Sequence, residues 1–363
     1  MTAPGIVLDA LSLAIGNFLL GPLDVSLAAS EVLVVLGPNG SGKSVTLETI
    51  AGFHRPDAGR VQIQGRDVTT LPPERRNVGF MVQNFGLFPH LTVAQNVGIV
   101  MRREDSHRTI AGLPHGDVDA LLGHFGVARL ASRVPQDLSP GEKQRVALAR
   151  ALATAPDVFL FDEPFSALDA DTRDSLREEL LSFMREISIP AIFVTHDHTD
   201  AMTLADRIIV LRDGAVVQSG TPAEIFESPA NCFVANFVGV ENILSGRLAD
   251  GQGGAPSITV SGHVLQVAAA APALQPPCEV KAAIRADAVS LYPADQAPPA
   301  NANRLAARIV RVRTVGPLAT IDLDCGFPIK AYLLTRDARA LVLTPGQPVM
   351  ITIAPDAIHV IPA

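Results

Sequence analysis

Eight consecutive residues near the start of the chain have the pattern of a phosphate-binding loop. They fit G-x-x-x-x-G-K-[ST], in which glycines let backbone N–H groups approach phosphate oxygens. Lys43 is expected to reach the β- and γ-phosphates, and the Ser44 hydroxyl to ligand Mg²⁺. The residues predicted to contact the nucleotide here are Gly37, Pro38, Asn39, Gly40, Ser41, Gly42, Lys43, Ser44 and Val45.

Two adjacent carboxylates form a second candidate group. Asp162 and Glu163 follow the apolar run 158–161, which is typical of a buried strand. In phosphate-loop enzymes an aspartate at this place orients the Mg²⁺ shell. Glu163 points the other way from the strand end and is predicted to accept a proton from the attacking water.

The elements around the loop can hold it in the required shape. The run 32–36 is apolar and β-branched, which predicts a buried strand, and residues 45–51 predict a helix that ends at Gly52. A strand, a glycine loop and a helix N-terminus together favour binding of a polyanion. The sequence therefore predicts that the chain binds a nucleoside triphosphate.

The segment from Leu138 to Arg150, which begins Leu-Ser-Pro-Gly-Glu, resembles the signature segment of ATP-binding cassette (ABC) proteins. The order and spacing of the motifs agree with that family over about residues 5–240. The resemblance implies that two copies enclose two ATP molecules, with each phosphate loop facing Ser139 and Gly141 of the other copy.

Further residues receive roles from the same resemblance. Gln83 matches a loop that senses Mg²⁺ and the nucleotide while it touches a membrane partner. Asp169, in the run Ser-Ala-Leu-Asp, matches a loop that crosses the dimer interface. His196 matches the switch histidine at the γ-phosphate, and Phe18 is a candidate to stack on adenine.

The signature segment departs from the family at its centre, where Leu-Ser-Gly-Gly-Gln is usual. Pro140 removes a backbone N–H and fixes φ, while Ser139 and Gly141 are retained. Our hypothesis is a functional but slower site.

The chain divides into two parts by pattern. Residues 1–240 alternate strand and helix signals and are predicted to form an α/β P-loop cassette, with a helical subdomain at about 88–155. Period-two alternation around 319–324 and 349–354 predicts a β-rich domain at 241–363. It resembles the small OB/TOBE-like barrel found on importer ATPases and would serve regulation or dimerisation.

The stretch 84–93 resembles importer ATPases that contact a separate permease. We therefore expect the ATP-hydrolysing subunit of a bacterial binding-protein-dependent ABC importer. Its partners would be a second copy, integral membrane permease subunits and, indirectly, an extracytoplasmic binding protein.

Composition limits where the chain can work. Lys+Arg 29 against Asp+Glu 37 gives a net charge of −8, which argues against nucleic acid as a partner. No apolar run approaches the ~18 residues that span a bilayer, and no secretory signal is evident. The three scattered cysteines predict free thiols. The expected location is peripheral, at the cytoplasmic face of the inner membrane.

The transported substrate is the least determined feature. Residues 42–48, 237–244 and 300–361 resemble molybdate/tungstate importer subunits, which favours an oxyanion. In the segment 300–305, Asn303 and Leu305 match an anion-contacting pattern, but alanines replace its serine and arginine. A β domain that only stabilises the dimer is an equal alternative.

Other functions remain open from the sequence. Ferric iron, polyamine and sugar importers use related subunits. A soluble ABC ATPase without a permease is a further alternative, as is a chain whose main role is oxyanion binding by residues 240–363.

Overall fold

The computed structural model describes residues 5–83, 85–101, 109–110, 113–114, 117–166, 168–187, 189–250, 255–268, 274–294 and 302–363. Asn84 of the predicted permease-contacting stretch, Ala167 of the predicted interface loop, and Ala300 and Asn301 lie outside these residues. The chain divides into two compact units, 1–222 and 223–363.

Unit one contains strands and helices in alternation. Its elements are β1 Ile6–Ile15, β2 Phe18–Leu27, β3 Val32–Leu36, α1 Lys43–Ala51, β4 Ala58–Ile63, β5 Arg66–Asp67, β6 Val78–Met81, α2 Val93–Gly98, β7 Thr109–Ile110, β8 Leu113–Pro114, α3 Val118–His124, α4 Pro140–Ala153, β9 Val158–Asp162, α5 Ala170–Ile187, β10 Ala191–Val194, α6 His198–Leu204, β11 Arg207–Arg212 and β12 Ala215–Gly220.

A six-stranded sheet forms the centre of unit one, in the order β12-β11-β3-β10-β9-β6. Its strands are parallel except β12, which pairs antiparallel with β11. All five residues of β3 are buried, because helices and the second sheet of this unit exclude water from both faces. A four-stranded antiparallel sheet, β2-β1-β4-β5, completes the unit.

Two helices confirm local sequence patterns. α1 ends at Gly52, whose φ of 95° is the left-handed conformation in which glycine closes helices without steric cost. α5 buries Leu176, Leu180, Met184 and Ile187, which recur at helical spacing on one face, while Leu181 is half-buried. No helix in the described ranges is long and apolar enough to cross a bilayer.

Unit two is largely antiparallel β structure. Its elements are α7 Pro222–Glu227, α8 Cys232–Phe237, β13 Asn242–Asp250, β14 Pro256–Val260, β15 His263–Gln266, β16 Cys278–Ile284, β17 Val289–Pro293, β18 Asn303–Val315, β19 Leu318–Asp324, β20 Pro328–Leu334, α9 Thr335–Ala340, β21 Pro348–Ile353 and β22 Ile358–Pro362.

The strands of unit two form two five-stranded sheets, β15-β14-β13-β16-β22 and β17-β21-β18-β19-β20. One continuous apolar core lies between them. The inward residues of β19 and β21 are those that the period-two pattern predicts, with Ile321, Ile351 and Ile353 each 0% exposed. The fold is therefore a P-loop α/β unit followed by an all-β half-barrel of the OB type.

The units divide earlier than residue 240. Residues 223–240 group with the β strands, since His359 Nε2 on β22 lies 3.0 Å from the Pro229 carbonyl oxygen. Directly after this segment, Glu241 Oε2 accepts from the Ala286 N–H over 2.8 Å. These long-range contacts leave no signal in the local sequence pattern.

Candidate functional site

The site lies at one edge of the six-stranded sheet. Parallel strands present their carboxyl ends at the same edge, and the loops that follow them therefore meet. β3 leads into the phosphate loop, β9 into Glu163, β10 into His196 and β6 into Gln83. Because β3, β10, β9 and β6 are neighbours in that order, residues more than 150 positions apart in the chain form one group.

The phosphate loop depends on its glycines. A Cβ on Gly37 would lie 2.4 Å from the Leu211 carbonyl oxygen and 2.5 Å from Ser41 Oγ, so only glycine fits. Gly40 and Gly42 have φ of 79° and 102°, a backbone conformation that residues with a side chain rarely adopt. The loop thus brings backbone N–H groups to the N-terminus of α1, where anions bind.

Lys43 turns back over the loop. Its Nζ donates to the carbonyl oxygens of Gly37 and Pro38 over 2.9 and 3.0 Å. Burial lowers the pKa of Lys43, against the opposing pull of Glu163 and Asp162. The ammonium is therefore a desolvated cation. A phosphate oxygen could replace the two carbonyl oxygens as its hydrogen-bond acceptor.

Ser44 and Asp162 lie together as the metal prediction requires. Ser44 Oγ donates to Asp162 Oδ1 over 3.1 Å. Burial raises the pKa of Asp162, with smaller contributions from Glu163 and Glu48 in the same direction, and the Ser44 hydrogen bond opposes them. A hydroxyl and a half-buried carboxylate side by side match the hard oxygen ligands that Mg²⁺ prefers.

Glu163 occupies the centre of the group. Its φ of 47° is unusual for a residue with a side chain, and strain of this kind is common at functional sites. Glu163 Oε1 lies 2.9 Å from His196 Nδ1, and Glu163 Oε2 accepts a longer hydrogen bond of 3.5 Å from Gln83 Nε2. The carboxylate thus lies between the two polar side chains assigned to sensing the nucleotide.

A cavity of about 460 Å³ opens beside the phosphate loop. Phe18 lies on its wall, against Gly42, where a Cβ would come within 2.8 Å of the Phe18 ring. The other lining residues are Ile15, Asn39, Gly40, Lys43, Ser44, Val45 and Glu163. No sequence motif marks Ile15. The turn at residues 16–17 places it opposite Phe18 across β1 and β2, and this pairing is the local signal for its position.

The predicted residues of the signature segment and of the loop before α5 do not line this cavity. Ser139 is the N-cap of α4, and its hydroxyl and N–H both donate to Glu142 Oε2, over 3.1 and 3.0 Å. Asp169 is exposed and accepts from the Thr172 N–H at the start of α5. Gly141 lies in the first turn of α4.

Pro140 takes the first helical position of α4, directly after Ser139. Proline is favoured there, because the N–H at this position has no partner within the helix. Proline in place of the glycine usual in the family therefore costs α4 no hydrogen bond. Its reciprocal hydrogen bonds between Ser139 and Glu142 form a complete capping box.

Known proteins resemble this chain over most of unit one. Residues 20–166 match the family model described as ABC transporter. The sulfate/thiosulfate import ATP-binding protein CysA of Mycobacterium tuberculosis is 43% identical over 251 residues, which cover 68% of this chain and 70% of that protein.

Two further relatives are similar. The putative 2-aminoethylphosphonate import ATP-binding protein PhnT of Salmonella typhimurium is 43% identical over 243 residues, 66% of this chain and 65% of its own length. CysA 2 of Chromobacterium violaceum, named for sulfate/thiosulfate import, is 45% identical over 246 residues, 67% and 64% of the two chains. With a phosphate loop, an acidic strand end and a histidine at one sheet edge, this chain belongs to the ABC transporter family and is one of its ATP-binding ATPases.

Proposed function

We propose that the chain hydrolyses ATP to power import of a solute through a separate membrane permease in bacteria. The observation that carries the proposal is the meeting of Lys43, the Ser44–Asp162 pair and the Glu163–His196 pair at one sheet edge. The import names of the relatives support the direction of transport.

The proposed roles follow from the contacts. Lys43 and the loop N–H groups bind phosphate oxygens, and Phe18 with Ile15 holds the base. Ser44 and Asp162, with Gln83 nearby, would hold Mg²⁺, which supplies positive charge beside the phosphates. Glu163 accepts the proton of the attacking water and His196 orients this carboxylate.

We propose that two copies complete the site. Ser139, Gly141 and Asp169 lie away from the cavity of their own chain, although the family motif assigns the first two to the nucleotide. An antiparallel pair of cassettes would bring these residues of one copy to the phosphate loop of the other. ATP would then hold the pair closed, and hydrolysis would release it.

A second cavity, of about 400 Å³, supports a permease partner. Phe53, Phe80, Ile99 and Met101 lie among its lining residues, and Phe53 and Ile99 are 59% and 57% exposed. β6, which contributes Phe80, leads directly to Gln83. A permease segment docked here would hold the chain at the inner face of the membrane and sense the nucleotide state.

For residues 241–363 we propose a TOBE-like accessory domain. We propose 1–240 as the cassette, with 88–155 as its helical subdomain, although residues 223–240 of this range belong to the compact unit of the β strands. Asn303 donates to the carbonyl oxygens of Gln266 and Ile353, and its own oxygen accepts from the Gln266 N–H. Leu305 lies in the core of unit two. Both residues that match the anion pattern are thus used within the fold, which favours a stabilising role over an anion sensor.

Molybdate or tungstate is the substrate that we propose, within a broader class of oxyanions. The named cargo of the relatives, sulfate/thiosulfate and 2-aminoethylphosphonate, supports an anion. Ferric iron, polyamines and sugars are the competing cargo classes.

The Glu163→Gln variant tests the ATPase roles. The amide keeps the size of the side chain and one acceptor oxygen but cannot accept a proton, so we expect turnover to fall at least about 100-fold with ATP binding intact. Near-normal turnover would remove Glu163 from its role.

Isolation from gently solubilised native membranes tests the importer proposal. We expect a permease and an extracytoplasmic binding protein to co-purify, and the ligand of that binding protein identifies the cargo. Recovery without a permease, from the soluble fraction only, would favour an ABC ATPase of another kind.

A further inference from the structure

Two arginines on α5 join the chain segments that flank Glu163 and His196. α5 follows the loop after Glu163, and α6 follows His196. Arg173 Nη1 contacts Asp197 Oδ2 over 3.2 Å, and Arg173 Nη2 donates to the Leu168 carbonyl oxygen over 3.2 Å. One guanidinium therefore links the loop before α5 to the residue directly after His196.

The second arginine makes a buried network. Arg177 Nε and Nη2 donate to Asp200 Oδ1 over 2.9 and 2.6 Å, and the two side chains are only 7% and 4% exposed. Asp200 Oδ2 accepts from Thr195 Oγ1 over 3.2 Å, and Thr195 Oγ1 accepts from the Asp197 N–H over 3.0 Å. The network thus ends on both neighbours of His196.

Packing does not explain how the histidine is held. The His196 side chain is 58% exposed, so few apolar contacts restrain it. A buried ion pair loses hydration and often contributes no more stability than apolar residues of the same volume. The network does, however, fix the turn 195–197 and thereby the direction in which the imidazole meets Glu163.

We infer that Arg173 and Arg177 are positioning residues, which hold His196 against Glu163 and tie this pair to the loop 164–169. The inference rests on the proposed roles of Glu163 and His196. If that loop crosses the dimer interface, closure of the dimer shifts the loop and the two arginines that contact it. The hydrogen-bond network would then couple dimer closure to the position of His196 and Glu163 at the γ-phosphate.

Thr195→Val in the full chain is the mildest test. The side chains have the same shape, but valine removes the hydroxyl that connects Asp200 to the turn. We expect kcat for ATP to fall about tenfold, while the dissociation constant of ATP changes less than twofold. Arg185→Met, at an exposed position of α5, is the matched control for the Arg177→Met variant below and should leave both values unchanged.

An apolar replacement separates positioning from stability. Arg177→Met alone leaves Asp200 buried without its partner, whereas Arg177→Met with Asp200→Leu removes both charges. We expect the double variant to regain most of the lost unfolding midpoint and to keep the low kcat. Recovery of kcat together with stability would show a purely structural role and overturn the inference.

A double-mutant cycle with His196→Ala identifies the route of the effect. If the network acts through the histidine, Thr195→Val should change single-turnover hydrolysis less than twofold in the His196→Ala background. A full tenfold effect in that background, or unchanged kcat for Thr195→Val alone, would overturn the inference. Unchanged turnover of His196→Ala or Glu163→Gln by itself would instead refute the proposed site roles, and the inference with them.

Discussion

Arg76 holds the C-terminal end of α1, the helix that follows the phosphate loop, by hydrogen bonds. Replacement of its side chain should destabilise unit one. Arg76 as a whole is 1% exposed. It donates to the carbonyl oxygens of Thr49 and Ile50 in the last turn of α1, over 2.8 and 2.9 Å, and to those of Leu71 and Thr69. A cation at this position also complements the negative end of the helix dipole.

The magnitude follows from these four hydrogen bonds. Arg76→Met keeps an unbranched apolar stem but removes every donor, so four buried or partly buried carbonyls lose a charged partner. Hydrogen bonds to charged groups contribute roughly 1.5–3 kcal/mol each, and the relief from burying a guanidinium offsets part of the sum. We expect a loss of about 3–5 kcal/mol in the free energy of unfolding.

Urea unfolding measures this loss unit by unit. The chain has no tryptophan, and both tyrosines, Tyr292 and Tyr332, lie in unit two. Tyrosine fluorescence therefore follows unit two, while far-UV circular dichroism also follows the helices of unit one. With a slope of about 2–3 kcal/mol per molar urea, the circular-dichroism midpoint of unit one should fall by about 1–2 M.

The neighbouring arginine is the control. Arg75 is exposed, and Arg75→Met should leave the midpoint unchanged. The tyrosine transition should stay in place in both variants. An Arg76→Met chain that unfolds at the wild-type urea concentration would refute the claim that the four hydrogen bonds hold α1.

Further predictions concern charge and buried polar groups. Glu142→Gln keeps the capping box on Ser139 but removes a negative charge that, in the proposed dimer, would lie near the ATP phosphates bound by the other copy. We therefore expect ATP-dependent dimerisation to strengthen about two- to fivefold in sedimentation experiments. An unchanged dimer would contradict the charge argument. Pro140→Gly should change turnover less than about twofold, because proline costs α4 no hydrogen bond. Burial lowers the pKa of Lys43, so its charge is lost as pH rises through the lowered value. ATP affinity should thus weaken at a lower pH than for an ordinary lysine, about 10.4, and a flat affinity up to that pH would contradict this. Asn303→Ala should cost unit two about 2–3 kcal/mol, seen by tyrosine fluorescence, whereas a wild-type transition would show its three hydrogen bonds to be dispensable.

Several local features could be predicted because their cause is local. The β-branched run 32–36 forms a fully buried strand, and Gly52 ends α1 in the left-handed conformation. The glycine pattern of the phosphate loop requires positive φ at Gly40 and Gly42, which the structure has. Alternating apolar residues give the inward faces of β19 and β21, since side chains of a strand alternate between its two faces.

Other features were visible in the sequence only as isolated residues. Nothing in the run around Arg76 shows that its guanidinium reaches the carbonyls of α1, 26 and 27 positions earlier. Arg177 and Asp200 lie on different helices, 23 positions apart. The sequence pattern matches Asn303 to an anion contact, but its amide is used in hydrogen bonds to Gln266 on β15 and Ile353 on β21.

The sequence by itself determined which chemistry is present: a phosphate loop, two carboxylates, a histidine and a signature segment, each recognisable within a few residues. Only the tertiary structure decided how they meet. The order of β3, β10, β9 and β6 brings Ser44 to Asp162 over 118 positions and His196 to Glu163 over 33. Backbone conformation and side-chain periodicity are set over a few residues, whereas strand order is set by how whole elements bury their apolar faces against one another.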